Sequence, residues 1–490
     1  MKVREWLCRL PGLLLLSLCG MGLAASCDDY NSWTTSPSAQ LMFSADSVAF
    51  DTVVTHRGSA TQTLIVHNRN DRGLRIRSVA LAGGATSHFR VNVDGQYLYD
   101  GAGEDFEVRR KDSIYVRVEV TLPELDSDDI HHYEDALLFT LESGVTQKVV
   151  LTADGMDVIV LRGETLTGDC TLAARRPYLI YDSLVVAPGA TLTLPAGTTL
   201  MFHDKTSLLV HGTLKANGTQ ERPVTFRGDR TDRMFPYLPY DNTPNRWGGI
   251  RFYGDSRGNE LVQCDIHSGD YGIICDSTEV TDDTDPLLLL SNSVVHNIGG
   301  PGLSLTHCRT QVTGTQISNT LGTTVHIVGG AHTFVHCTIA QFYPFSADRG
   351  DALFLTNKQG DTPQPIRWAY FLNCVITGYA DDVIMGDISE DEQNPCDYLF
   401  SNCLLRTVSS EDAERFVSIC YDNSKDLELT GKEHFVLFDA ENFLYDFTPK
   451  PESAIRGLGL MEYAVPFPLD RHGLNRLADG APDAGAYEGQ

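Results

Sequence analysis

The chain has 490 residues, which is long enough for two or three separate hydrophobic cores. Its 65 acidic residues outnumber its 38 lysines and arginines and give a formal net charge of −27, so we exclude DNA and RNA as partners, because such a surface repels their phosphates. The acidic residues are spread along the sequence, which favours a soluble, self-repelling surface over a dedicated cation-binding block.

The first 26 residues have the three parts of a secretory signal: a basic start, an apolar run over residues 13–18, and small residues before Cys27. The apolar run is too short for a permanent membrane-spanning helix. The stretch Leu23-Ala-Ala-Ser-Cys27 resembles the signal of bacterial lipoproteins. The resemblance implies cleavage before Cys27, acylation of its thiol, and membrane contact through the lipid alone. The alternative is ordinary cleavage that leaves Cys27 free or in a disulfide.

The two acidic residues after the cysteine, Asp28 and Asp29, resemble a signal that directs Bacteroidetes-type lipoproteins to the outer face of the outer membrane. The resemblance implies a lipid-anchored protein of the outer membrane that is exposed at the cell surface. Residues 27–40 are polar and lack periodicity, which predicts a flexible tether between the lipid and the fold.

Residues 41–157 contain about seven short runs with strand character, which predicts a β-sandwich of immunoglobulin-like type. The run Ile114-Tyr-Val-Arg-Val-Glu-Val alternates apolar and polar side chains, as a strand with one buried face does. The chain from Phe50 through Val66 to Leu151-Thr-Ala-Asp-Gly resembles the immunoglobulin-like domains that precede β-helices in Bacteroidetes surface lipoproteins. We favour a spacer role for this domain; the alternative is a binding module.

Residues 158–434 are predicted to form a parallel β-helix. Within this region, six hexapeptides share one pattern: apolar, any residue, small polar or amide, small, any residue, aliphatic. They begin at Leu261, Leu290, Val312, Phe334, Phe371 and Phe400. Their equivalent positions are 29, 22, 22, 37 and 29 residues apart. A propeller blade needs about 40 residues, whereas one coil of a β-helix needs only about 20 and tolerates insertions at its corners.

Successive coils lie about 4.8 Å apart, so equivalent side chains should stack into ladders. We expect aliphatic and aromatic ladders at the first and sixth positions, buried free cysteines with serine and threonine at the fourth, and stacked amides at the third. With the stretch that begins Pro188-Gly-Ala-Thr-Leu-Thr-Leu, the pattern resembles the right-handed parallel β-helix family. The resemblance implies a fold class, all-β with a sandwich followed by a β-helix, but no activity.

Residues 435–490 are predicted to form a C-terminal cap. The ending Asp483-Ala-Gly-Ala-Tyr-Glu resembles a segment that closes many secreted β-helices. An open last coil would expose unpaired backbone and an apolar ladder, so we expect this segment to cover it.

Charged residues in the longer intervals between hexapeptides are candidates for a site, since corner loops of a solenoid form its binding surface. Five of them could meet on neighbouring coils as an acid pair or a weak Ca²⁺ site: Asp348, Arg349, Asp351, Asp381 and Asp382. The alternative is a set of solvated loop residues. The sequence has no Cys-x-x-Cys, so we expect no zinc site and no cofactor.

Aromatic residues are the second set of candidates, because exposed rings stack on sugars. Trp247 and Tyr343 lead this set, which also contains Tyr237, Tyr240, Phe342 and Phe345. The alternative is that half or more of these rings pack in the core or at the corners of the coil. We therefore expect a non-catalytic protein that binds an extracellular polymer, a glycan or host matrix, or acts in adhesion. The competing hypothesis is a polysaccharide lyase or glycoside hydrolase acting on an acidic glycan, although residues 158–434 lack the Asn-Thr-Asp, Gly-His-Gly and Arg-x-Lys motifs of polygalacturonase-like sites. A third possibility is a purely structural surface element.

Overall fold

The computed structural model describes residues 32–55, 57–281 and 285–489. The chain divides into two compact units between Asp157 and Val158. Cys27 and the leader before it lie outside the described residues. None of the helices in the described part of the chain is long and apolar enough to cross a membrane.

The first unit is a β-sandwich of two five-stranded sheets, which confirms the predicted fold class of this region. Alternation along the strands turns one side of each sheet toward a shared core; in Ser113–Val120, every second residue is buried. The first sheet contains, in spatial order, Met42–Phe43, Gln62–His67, Ser113–Val120, Phe89–Val93 and Gln96–Tyr97. The second contains Ser47–Val54, Thr146–Met156, His131–Leu141, Leu74–Leu81 and Ala102–Val108.

The described end of the predicted tether packs on the sandwich. Trp33 forms a β-bridge with Gly73, and the Arg75 guanidinium lies 4.7 Å from the centre of the Trp33 ring. Ala39 is buried in the core of the domain. Residues 33–40 are therefore held by the domain, because an aromatic ring and a small apolar side chain give this stretch buried contacts that its polar composition concealed.

The second unit is a parallel β-helix built from three long sheets, as predicted. Successive coils contribute one strand to each sheet in turn as far as Leu404–Leu405, after which the nine-stranded sheet receives no further strand. Every pair of neighbouring strands inside these sheets is parallel. The eleven-stranded sheet contains Ile159–Arg162, Tyr178–Tyr181, Thr199–Phe202, Val224–Gly228, Cys264–His267, Val294–Ile298, Gln316–Thr320, Thr338–Gln341, Val375–Gly378, Leu404–Leu405 and Cys420–Tyr421.

The two other sheets complete each coil. The nine-stranded sheet contains Thr165–Leu166, Leu184–Val186, Ser207–Val210, Gly249–Phe252, Ile273–Cys275, Leu303–Thr306, Val325–Val328, Leu353–Thr356 and Ile384–Asp387. The ten-stranded sheet contains Cys170–Thr171, Thr191–Pro195, Thr213–Asn217, Asn259–Val262, Leu288–Ser291, Arg309–Thr313, Gly330–Val335, Ile366–Leu372, Cys396–Ser401 and Phe416–Val417. Each hexapeptide spans the corner where the ten-stranded sheet passes into the eleven-stranded sheet.

The interior of the coil carries the predicted ladders. Phe334, Phe371 and Phe400 stack with ring centres 4.8 and 4.9 Å apart, which is about one coil spacing. The hexapeptide cysteines are buried free thiols, as expected. Two of the thiols accept from the preceding coil: the Cys337 amide donates to Cys374 Sγ at 3.5 Å, and the Cys374 amide donates to Cys403 Sγ at 3.3 Å. Burial raises the pKa of Cys374 well above its usual value, so this thiol stays neutral.

The third hexapeptide position is the corner residue itself. All six of these residues have left-handed backbone conformations, with φ between 47° and 56°: Gln263, Asn292, Gly314, His336, Asn373 and Asn402. Asparagine and glycine adopt this conformation at least cost, which explains the amide preference at this position.

The amides were expected to bond along their own ladder, but several of their hydrogen bonds go to the C-terminal segment, residues 435–489. The Asn373 side chain accepts from the Leu460 amide at 2.8 Å and donates to its carbonyl at 3.0 Å. Asn402 donates to the Leu458 carbonyl. A direct bond within the ladder joins Asn373 Nδ2 to His336 Nε2 at 3.0 Å.

The C-terminal segment lies along the side of the coil, whereas the sequence predicted a cover for its last coil. It contains a hairpin, Phe435–Asp439 and Leu444–Pro449, and a short helix, Met461–Ala464. Its apolar side chains, including Phe447 and Tyr487, pack on Ala340, Val375 and Leu404, which face outward from the eleven-stranded sheet. The physical reason is this outward apolar patch, which needs a partner.

Five smaller elements complete the description. Two further hairpins protrude from the coil: Arg233–Phe235 with Leu238–Pro239, and Lys358–Gln359 with Thr362–Pro363. Short 3-10 helices occur at Gly84–Thr86, Tyr240–Asn242 and Gly431–His434.

Candidate functional site

The outward face of the eleven-stranded sheet changes character along the solenoid. Two rows of side chains point outward, at the fifth hexapeptide position and two residues further on. The first row is Asp265, Val294, Gln316, Thr338, Val375 and Leu404. The second is Arg227, His267, His296, Ser318, Ala340 and Thr377. The apolar later coils are covered by the C-terminal segment, while the earlier coils carry charge.

A chain of charged groups, here called the His–Asp cluster, occupies the earlier coils. Asp241, from the protruding insertion, lies 2.9 Å from both Arg227 and His267 Nε2. His267 Nδ1 lies 2.8 Å from Asp265 Oδ1, and the same oxygen lies 3.2 Å from His296 Nε2. The cluster thus alternates positive and negative groups from two successive coils and the insertion.

The pKa values of the cluster follow from this alternation. Burial alone would lower the pKa of His267, but the Asp241 and Asp265 carboxylates outweigh it and raise the pKa to about 10. Burial likewise opposes the shift of Asp265, whose pKa is held well below its usual value by His267 and His296. The pKa of Asp241 is lowered against burial by His267 and then Arg227. The imidazole of His267 is therefore cationic at neutral pH, between two carboxylates.

A cleft of about 460 Å³ opens beside the cluster, between the sheet and the C-terminal segment. The sheet contributes Asp265, Val294, His296, Asn297, Gln316, Ser318 and Asn319. The other wall comes from the insertion and the C-terminal segment: Asn242, Phe443, Leu444, Tyr445, Asp446, Phe447, Arg471, His472 and Tyr487. Its surface combines amides, imidazoles, carboxylates and aromatic rings, which is the composition of a site for a polar organic ligand.

Two contacts fix the floor of the cleft. The Tyr487 hydroxyl bonds to Gln316 Oε1, and the His472 ring lies 4.7 Å from the Tyr487 ring. Asn319 is 1% exposed, and its Oδ1 has no hydrogen-bond partner among the residues that the structure describes. A buried amide oxygen without a partner is costly, so a donor from a ligand or a solvent molecule is expected there.

The predicted charged residues lie elsewhere on the solenoid, where they have different neighbours. Asp351 and Asp382 occupy equivalent positions on neighbouring coils, as the register of the following strands shows. Burial, and then the Asp382 charge, raise the pKa of Asp351. Asp381 instead pairs with Arg406 at 2.8 Å.

The two remaining members of that set have other neighbours. The Arg349 guanidinium lies over the ring of Tyr379, 4.5 Å from its centre, and Asp348 is exposed in a turn closed by Ser346. Within the described ranges, three potential metal ligands converge at another place, where Asp265, His267 and His296 meet. Of the five predicted residues, the structure brings Asp351 and Asp382 together on neighbouring coils, and a binding or Ca²⁺ role for the set stays a prediction.

The leading aromatic candidates are buried. Trp247 is 0% exposed: its ring stacks on Phe202 at 4.4 Å, and its Nε1–H donates to the His267 carbonyl at 2.7 Å. Tyr343 is 4% exposed. Both expectations of an exposed sugar-stacking ring are thereby corrected, because these large rings fill space at the corners of the coil. Phe342 is buried too, Tyr240 is half-buried, and Tyr237 and Phe345 are exposed on their loops.

The residues of the His–Asp cluster were missed, although a signal for them exists. If each hexapeptide is extended by one residue, His267 and His296 occupy the same seventh position, and Asp265 the fifth. Side chains two apart on a strand share a face, and equivalent positions on successive coils stack, so the three must meet. The role of Asp241, far away in an insertion, has no such signal.

Comparisons with known proteins give only partial similarities. No protein-family model matches the chain, and no curated protein matches it. Similar solved structures include a Porphyromonas gingivalis W83 protein of unknown function, with a TM-score of 0.18 and 15% identity over 26% of this chain and 60% of that chain. PapD-like domain 7 of human CEP192 has a TM-score of 0.18 and 10% identity over 25% of this chain and 90% of that chain. The E. coli chaperone DraB has a TM-score of 0.17 and 16% identity over 24% of this chain and 55% of that chain. The chain thus spans only 60% of the P. gingivalis protein. At these TM-scores the similarities carry no inference about function.

Proposed function

We propose that the protein binds a segment of an extracellular glycan in the cleft between the eleven-stranded sheet and the C-terminal segment. The volume of about 460 Å³ falls within the usual range for small-ligand sites, about 300–1,000 Å³. A sugar offers hydroxyl groups that both donate and accept hydrogen bonds, together with an apolar ring face. The cleft offers amides that can bond to the hydroxyl groups and aromatic rings that can pack on the apolar ring face.

The observation that carries this proposal is the lining of the cleft, in which the polar side chains of Gln316, Ser318 and Asn319 lie opposite the aromatic rings of the C-terminal segment. Gln316 and Ser318 on the same strand bond to each other at 2.8 Å, so their orientations are set before a ligand arrives.

Glycan retention on the purified protein tests this proposal. We expect Asn319→Gly, which removes the amide but tolerates the φ of 55° at this position, to weaken binding about 10-fold. The matched control is Asn245→Gly, since Asn245 is exposed, has a φ of 62° and lies outside the cleft. Equal retention by the wild type and Asn319→Gly would contradict the proposal, and so would release of shortened products.

The cellular setting belongs to the same proposal. We infer a Bacteroidetes-type surface lipoprotein with a right-handed β-helix, anchored through Cys27, in which the sandwich is a spacer that carries the β-helix away from the outer membrane. The support is the sequence of the signal and the two acidic residues after Cys27.

A second function, glycoside hydrolysis, is favoured by one specific observation. Asp351 has a raised pKa beside Asp382, as the general acid of a carboxylate pair requires. Under this alternative, an acidic glycan is cleaved by the wild type and not by Asp351→Asn. Turnover that survives Asp351→Asn would eliminate this pair as the catalytic site.

A further inference from the structure

We propose that Asp265, His267 and His296 form a binding site for a divalent transition-metal ion of the Zn²⁺ class. The inference goes beyond glycan binding and does not depend on it. It also reverses the expectation of no zinc site, which came from the absence of the closely spaced Cys-x-x-Cys motif. In a β-helix, ligands come from successive coils instead.

The ligand atoms already converge. Asp265 Oδ1, His267 Nδ1 and His296 Nε2 all lie within 4.8 Å of one another. The carboxylate oxygen is 2.8 Å from one nitrogen and 3.2 Å from the other. Zinc takes such ligands at about 2.0–2.2 Å in tetrahedral geometry, which places neighbouring ligand atoms roughly 3.3 Å apart. Small side-chain rotations are therefore enough to admit an ion.

The surroundings match those of a metal-binding imidazole. A histidine ligand usually donates its second ring N–H to a carboxylate, which fixes the ring orientation. Here His267 Nε2 lies 2.9 Å from Asp241 Oδ1, and Asp241 is held in turn by Arg227 at 2.9 Å. When an ion binds, His267 releases the proton on Nδ1 to solvent and keeps the one on Nε2, beside Asp241. His296 likewise gives up the proton with which Nε2 faces Asp265, so that both ligating nitrogens offer a lone pair.

The site is open on one side. Asp265 and His296 line the cleft, whose wall also includes Asn319. Three protein ligands with a fourth position open to a ligand or solvent are the pattern of metal sites that act on or bind other molecules, in contrast to closed structural sites. An ion can therefore enter from the cleft without opening the coil.

Metal titration of the chelator-treated, dialysed protein tests the inference. We expect calorimetry with ZnCl₂ to show about one equivalent bound per chain, and CoCl₂ to give a visible absorption band typical of nitrogen and oxygen ligands. His296→Ala removes a ligand that is partly exposed, and we expect it to weaken Zn²⁺ binding at least about 100-fold. Asp241→Asn keeps all three ligands, and we expect a loss of about 10–100-fold.

The matched control is His211→Ala. His211 is also partly exposed, pairs with Asp255 at 3.0 Å and lies in the same solenoid, but it contributes to no group of converging ligands in the described part of the chain. The His211→Ala variant should bind Zn²⁺ with the affinity of the wild type. Circular dichroism verifies that each variant is folded. Absence of saturable binding by the wild type overturns the inference, as does wild-type affinity in folded His296→Ala. Glycan retention, measured separately without metal, tests the cleft proposal independently.

Discussion

Buried histidine side chains make the stability of this protein depend on pH. His332 is fully buried inside the coil, where its Nε2–H donates to the Gly329 carbonyl at 2.8 Å and its Nδ1 accepts from the Thr310 hydroxyl at 2.9 Å. Burial, partly offset by the bond to Gly329, lowers the pKa of His332 from 6.5 to about 4. The unfolded chain takes up a proton at this residue before the folded chain does.

We therefore expect stability to fall as the pH drops from 6.5 to 4, by about 3 kcal/mol from this residue. The folded pKa of this histidine is lowered, so its contribution is complete above 6.5 and is lost in acid. Denaturant unfolding at a series of pH values measures the effect. In His332→Gln the decline should be smaller by that amount, although His336, whose pKa burial also lowers, still contributes. An unchanged slope in the variant would refute this assignment.

At the scale of elements, the stacked aromatic ladder holds the later coils together. Phe371 lies between Phe334 and Phe400, with both ring separations below 5 Å. Each ring buries a large apolar area and meets its neighbours nearly parallel, so each coil positions the next. Because the interior is closely packed, a missing ring leaves a cavity that the rigid sheets cannot fill.

Phe371→Ala should lower the free energy of unfolding by about 3–5 kcal/mol, since it removes a buried ring and leaves a cavity. Urea unfolding followed by circular dichroism measures the change. The control is Tyr370→Ala on the same strand, where an outward ring that bonds to Asp397 is removed. We expect at most about 1 kcal/mol there. Equal effects of the two variants would show that the ladder has no special role.

The second element is the row of left-handed corners that holds the C-terminal segment. Asn373 forms the corner with a left-handed backbone, at a φ of 52°, and also holds the C-terminal segment, because its side-chain amide makes two hydrogen bonds to the backbone of Leu460. The segment is further fixed by Arg476, which is buried and donates to the carbonyls of Gly485 and Ala486. The corner row therefore couples the solenoid to the wall of the cleft.

Asn373→Gly and Asn373→Ala separate these two functions. Glycine keeps the backbone conformation and loses the two amide bonds, which we expect to cost about 1–3 kcal/mol. Alanine should cost about 1–2 kcal/mol more, because its Cβ disfavours this conformation. In both variants limited proteolysis should cut the C-terminal segment faster than in the wild type. Unchanged protection in both would mean that other contacts, such as those of Arg476, suffice.

At the scale of the whole molecule, the chain combines a sandwich unit with a long β-helix, and its leader predicts how this assembly is attached. The charge of −27 is spread over both units, so attraction to an anionic membrane surface cannot hold the protein there. Any stable attachment must then come from a specific anchor.

Cys27→Ala should shift the protein from the membrane fraction to the soluble fraction, because it removes the acylated residue of the proposed signal. Fractionation followed by immunoblotting measures this shift. Cys19→Ala is the matched control inside the leader and should leave the protein with the membranes. Retention of Cys27→Ala in the membrane fraction would contradict the lipid anchor.

The sequence by itself determined the fold class, the interior ladders and the buried state of the hexapeptide thiols. The physical reason is that a solenoid is built from contacts between neighbouring coils, so one repeated pattern specifies the structure of each coil and its stacking. If the repeat had been extended by one residue, the same stacking of neighbouring coils would have predicted that Asp265, His267 and His296 meet. The amide preference at the corners was visible as well, but its cause, a left-handed backbone, is a property of geometry.

Only the tertiary structure decided what covers the solenoid and where the cleft lies. Asp241 reaches the cluster from an insertion, and Tyr487 reaches Gln316 across 171 positions of sequence. Such contacts follow no repeat, because they depend on how irregular segments fold back over an outward face. Trp247 and Tyr343 were misjudged for the same reason: composition reveals that a ring is present, whereas the packing of its neighbours decides whether the ring is exposed.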